Sequence, residues 1–163
     1  MRFGRDLRQP DGMSCGATSV VVARMLRDPA WAAEIRPSFG AVVKDVHRSF
    51  HVWPERWGTA WWSVAWHLRR IEGVPYTLRP PSYARLLAVA RSGRLASLYV
   101  GTRLLPRHVT LVVGTSGAAG EELEVFDPAT GLVRTITRAM WDAHELRLGG
   151  WPRAYCMVVP GRP

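Results

Sequence analysis

The sequence predicts an α+β chain: an N-terminal helical part packed on a C-terminal antiparallel β-sheet. Helical apolar spacing with capping signals dominates up to about residue 91. Beyond it, short Val- and Leu-rich runs alternate with Gly- and Pro-containing turns. The chain has 163 residues, 47% hydrophobic and 21% charged, which suits one packed domain over 1–163 and argues against wholesale disorder.

In chain order, Ser14–Arg27 reads as a helix with Val20, Val21, Met25 and Leu26 on its buried face, stopped by Asp28-Pro29. The tract 29–58 is ambiguous, with a short helix expected over Ala41–Phe50. Thr59 is the expected N-cap of a helix over Ala60–Glu72, and Gly73 its C′ residue. A short strand at Pro75–Leu78 precedes a helix over Tyr83–Arg91, capped by Ser82 and ended by Gly93. Five strands follow: Leu95–Val100, His108–Val113, Glu122–Phe126, Val133–Thr137 and Tyr155–Val159. The connections 114–120 and 127–131 read as hairpin turns, and Arg138–Glu145 as a short helix.

Composition excludes several classes. Two cysteines, Cys15 and Cys156, are too few for a disulfide scaffold. No apolar run reaches the roughly 18 residues of a membrane span. Met1–Asp11 has no apolar signal-peptide core, so a cytoplasmic location is expected, with secretion as an effector the alternative. The formal net charge is +9. It lies before His108: residues 1–107 hold 17 basic and 7 acidic side chains, and Arg79–Arg107 holds six Arg and no acid. No zinc-finger spacing, RNP aromatics or heptads accompany it, so nucleic acid is an improbable partner. An acidic peptide or protein is the expected one, drawn in by a field that salt screens. No cofactor is called for. His47 and His51 share metal-pair spacing but have no third ligand, so no metal site is assigned.

Three residues carry candidate chemistry. Cys15 opens a helix, where free N–H groups and the helix dipole favour a thiolate nucleophile. Gly16 leaves room there for close backbone approach, and Gln9, six residues upstream in a loop, can return its amide to the site as an oxyanion donor. His108 opens an apolar strand, a placement that suits a general base. Asp127, at the end of the next strand, would lie beside His108 in a hairpin and orient its ring. Each signal alone is weak: most such Cys, His and Asp residues are structural. Cys156, in an apolar strand, reads as a packed core thiol, and a Cys15–Cys156 disulfide would need an exported protein.

The order Gln, Cys on a helix, His on a strand, Asp at the next strand end resembles the papain-like cysteine peptidases, most closely the bacteriocin leader peptidase branch with its stand-alone bacterial relatives. Gln9 before Cys15-Gly16, the tract from Leu86 through Gly93 to His108, Asp127-Pro128, and Trp141 before the last strand all carry the resemblance. It implies a papain-like fold in which Cys15 is the nucleophile, His108 the base, Asp127 its orienter and Gln9 the oxyanion donor of a peptide-bond hydrolase. Ser14 departs from the Asp that often precedes this Cys, and Thr18 stands where Ala is common; cleavage after Gly-Gly is therefore not implied. The alternatives are a transglutaminase, deamidase or acyltransferase using the same thioester, a toxin or effector domain among its forms, and a non-catalytic binder of an acidic partner.

The tryptophans match no family motif. Trp53, Trp57 and Trp61 recur every four residues, as do Trp62 and Trp66. A buried helical stripe is the expected reading, and an aromatic wall of a substrate cleft the alternative, since Pro54 and Gly58 interrupt a continuous helix. His67 and His144 are expected on helix surfaces.

Overall fold

The computed structural model describes residues 1–50 and 59–161. Six helices are α1 (Cys15–Arg27), α2 (Pro29–Ile35), α3 (Phe39–Arg48), α4 (Trp61–Glu72), α5 (Tyr83–Arg91) and α6 (Arg138–Asp142). Six strands are β1 (Tyr76–Arg79), β2 (Ala96–Gly101), β3 (Pro106–Ser116), β4 (Glu122–Asp127), β5 (Leu132–Ile136) and β6 (Arg153–Pro160). All pairings are antiparallel, in the order β1-β6-β2-β3-β4-β5.

β2 is buried at every residue, because both faces of the sheet are covered. Its alternation sorts the core. Tyr99, with Val109 and Leu111 of β3, faces α1, α3 and α4, while Leu98 and Val100 face Leu86 and Ala90 of α5. The sheet is thus the middle layer of three.

The α+β reading stands, with corrections to its parts. The region 29–48 is helical: Asp28 ends α1 and starts α2, its carboxylate accepting the Trp31 N–H at 3.0 Å with Pro29 in the first turn. α3 begins two residues before the expected Ala41, at Phe39. Ala60, not Thr59, occupies the N-cap of α4, with no side-chain cap bond. At the other end Gly73 closes α4 in the left-handed conformation, φ 71°. Ser82 does cap α5, accepting from the Arg85 N–H at 3.3 Å. α6 stops at Asp142, short of the expected Glu145.

The expected burial of the tryptophan stripe is overturned for the three that are described. Trp61, Trp62 and Trp66 are 37%, 39% and 52% exposed, while Val64, Ala65 and Leu68 form the inward face of α4. Trp53, Trp57 and His51 lie outside the described residues. His67 is not a free surface residue: its ring sits 5.2 Å from Phe50 and 4.7 Å from Trp66. Burial, helped by the nearby Arg70 charge, pulls its pKa down to about 4. His144 is exposed, just past α6. Cys156 is half-buried, and burial pushes its thiol up to about 11. Both cysteines are free thiols. Among the described residues no helix is long and apolar enough to cross a membrane, and no group of three or more His, Cys, Asp or Glu side chains is placed to hold a metal ion.

Candidate active site

The hairpin β3–β4 pairs Leu111 with Phe126, which sets His108 and Asp127 at the same end. His108 Nε2 lies 2.8 Å from Asp127 Oδ1. α1 packs on β3, and its Ser19 hydroxyl donates to the Val109 carbonyl at 3.4 Å, one residue past His108. That contact brings the first residue of α1, Cys15, beside His108, near enough for the thiol to act on the ring's pKa. With Nε2 committed to Asp127, Nδ1 is the ring nitrogen left for the thiol. Cys15, His108 and Asp127 are 5%, 6% and 1% exposed, so their mutual interactions are weakly screened.

The charges follow from this geometry. Burial alone would lower the His108 pKa, but the hydrogen bonds to Asp127 and Cys15, with the charges of both, raise it to about 9. Burial would raise Asp127, and the bonds from His108, Gly149 and Ala129 outweigh it and hold the carboxyl below the usual range. Asp127 Oδ1 also accepts the Ala129 N–H at 3.0 Å, and Oδ2 the Gly149 N–H at 2.8 Å. The carboxylate is therefore fixed from three sides.

The loop before Cys15 is similarly braced. Asp11 Oδ1 accepts the N–H groups of Met13 and Ser14, both at 2.9 Å. Burial opposes the charge on Asp11, yet these bonds and the nearby His47 lower its pKa. No side chain caps α1, so the amides of Cys15 and Gly16 precede the first intrahelical bond, Thr18 N–H to Ser14 at 2.8 Å. Gln9 sits beside the same turn, its backbone N–H donating to the Pro128 carbonyl at 2.9 Å. Its side-chain amide donates to the Asp11 carbonyl at 2.6 Å, which leaves the second N–H of that group for another acceptor.

Gly16 serves a different purpose from the expected one. A Cβ there would collide with the Thr59 side chain, so the missing side chain admits Thr59 rather than a ligand. Thr59 is held in turn by the buried Tyr99, whose hydroxyl donates to its carbonyl at 3.1 Å.

Sequence reasoning missed Gly149. Leu148 and Trp151 bond reciprocally across Gly149 and Gly150, with φ of 56° and 83°, the two-glycine hairpin turn. A Cβ on Gly149 would stand 2.6 Å from His108 Cδ2. The residue thus packs on the imidazole while bonding its carboxylate partner. The Gly-Gly pair was the available signal, though nothing in the sequence ties it to His108.

No protein-family model matches the sequence, and no curated protein matches it significantly. Solved structures do match. The peptidase domain of Streptococcus ComA, a bi-functional ABC transporter involved in a quorum-sensing pathway, superposes with a TM-score of 0.56 at 14% identity, covering 94% of this chain and 96% of that one. The peptidase domain of Streptococcus mutans ComA gives 0.52 at 12% identity, covering 99% and 100%. The chain has the papain-like α+β fold of these peptidase domains.

Proposed function

We propose that this protein is a cysteine peptidase. Cys15 is its nucleophile, His108 its general base and acid, and Asp127 the group that orients His108. One observation carries this: a buried imidazole held by Asp127 at 2.8 Å, with the thiol of Cys15 at a helix start near enough to shift its pKa. Because its pKa stands near 9, His108 readily holds the proton that Cys15 gives up. The thiolate attacks a peptide carbonyl, and the backbone N–H of Cys15 meets the developing oxyanion, with Gln9 contributing its free N–H once its side chain turns to the site. His108 then hands its proton to the leaving amine, and water, deprotonated by the same ring, releases the acyl group. Asp127 keeps the ring aimed throughout and stabilises the imidazolium while it holds the proton.

The test is a mixed peptide pool incubated with wild-type protein and with Cys15→Ala, read by mass spectrometry. New fragments made only by wild type support hydrolysis. A deamidation shift of one mass unit on Gln (about one) or a cross-linked product, without fragments, would replace this reading by a deamidase or acyl transferase of the same fold.

A further inference from the structure

The sheet face opposite Cys15 carries a concavity. α5 packs over β2, β3, β4 and β6 there, and β1 lies beyond β6 at the sheet edge. The groove left between α5 and β1 encloses about 850 Å³. Val74, Ala88, Val89 and Pro160 give it apolar walls, and Arg79, Arg85 and Arg94 line it too.

These charges are poorly compensated. None of the three elements around the groove, β1, α5 and β6, contains an acidic residue. Arg94 reaches Glu72 only at 4.0 Å, and Glu72 is already bound by Arg27 at 2.6 Å. Arg79 and Arg85 are exposed and form no ion pair among the described residues. Arg91, by contrast, spends its guanidinium on the carbonyls of Ala119 and Gly120. A merely solvated basic face has no need of an apolar trough between its cations.

The edge strand adds a third feature. Among the described residues β1 pairs only with β6, so alternate backbone N–H and C=O groups of Tyr76–Arg79 point away from the sheet. An extended peptide uses all three features: carboxylates for the arginines, an apolar side chain for the trough, and backbone groups for the strand edge. A small inorganic anion uses the first alone.

We propose that this groove is a docking site for an acidic peptide segment, laid along β1 with its carboxylates on Arg79 and Arg85 and an apolar side chain against Val89. The site lies across the sheet from Cys15, so its occupancy does not depend on the thiol chemistry proposed above.

The test uses the full chain carrying Cys15→Ala, with wild type in parallel, and fluorescence anisotropy. The probe is a labelled peptide of about eight residues alternating Glu and Leu, beside its Gln-for-Glu counterpart. The Glu peptide should bind about tenfold or more tightly than the Gln peptide and weaken as salt rises. Arg79→Ala with Arg85→Ala should weaken it about tenfold, as should Ala88→Trp, which fills the trough without altering charge. Arg48→Ala, on the far face, should leave it unchanged. Equal affinity for the two peptides, or indifference to the paired arginine variant, would overturn the proposal. Competition by pyrophosphate with no effect of Ala88→Trp would also overturn it, in favour of a simple anion site. Binding that persists in a protein with no peptidase activity would leave this site standing and remove only the catalytic reading.

Discussion

Gly149→Ala strikes the site through a residue that touches no substrate. The new Cβ would lie 2.6 Å from His108 Cδ2 and 2.9 Å from both Cγ and Nε2. Carbon atoms in contact sit about 3.5 Å apart or more, so ring or backbone must yield by about 0.9 Å. If the ring yields, the 2.8 Å contact with Asp127 opens to about 3.6 Å, which is no longer a hydrogen bond. If the backbone yields, Asp127 loses the Gly149 N–H, now at 2.8 Å. Both routes weaken the pair that raises the His108 pKa. Alanine at φ 56° also costs about 1–2 kcal/mol in backbone strain. NMR titration of the imidazole should therefore show the His108 pKa falling from about 9 toward the ordinary imidazole value of 6.5, with a lowered Tm. A folded variant whose His108 still titrates near 9 would refute the clamp.

Three further outcomes follow from the same geometry. The His108 pKa is raised by folding, so its contribution to stability is complete below about pH 6.5 and lost as pH rises through about 9. Asp127 is lowered, so its contribution holds above about 3.8 and fades as pH falls through its folded value. Thermal melts from pH 6.5 to 9 should accordingly show a falling Tm in wild type and a flatter profile in His108→Gln; parallel profiles would contradict the assignment. Gly16→Ala should destabilise by about 1–3 kcal/mol in urea despite the better helix propensity of Ala, with partial rescue by Thr59→Gly, since the new Cβ meets Thr59. Arg27→Ala should cost about 2 kcal/mol, because Glu72, with a side chain only 4% exposed, keeps only the 4.0 Å contact to Arg94.

The legible parts of this fold were those written in local chemistry. Ser82 and Gly73 punctuate α5 and α4 within a turn of where they act, and the alternation in β3 and β4 together with the 114–120 connection sets His108 beside Asp127. α2 was illegible because Asp28-Pro29 both ends one helix and starts the next, and only the stop was read. The tryptophan spacing was real but silent about which face points inward. Val64, Ala65 and Leu68 share the buried one, and the larger aromatics stay outside with Arg70 over Trp66 at 4.7 Å. Gly149 was invisible for another reason. It meets His108 only because the chain returns after β5 to lay β6 between β1 and β2, a non-local pairing with no periodic signature.

The central claim is the coupling of Cys15 to His108. It is tested most directly by the rate of Cys15 alkylation with iodoacetamide across pH, in wild type and His108→Ala. Labelling at neutral pH should be fast in wild type and markedly slower in the variant, which reacts as an ordinary thiol. Identical ordinary-thiol profiles in both proteins would contradict it.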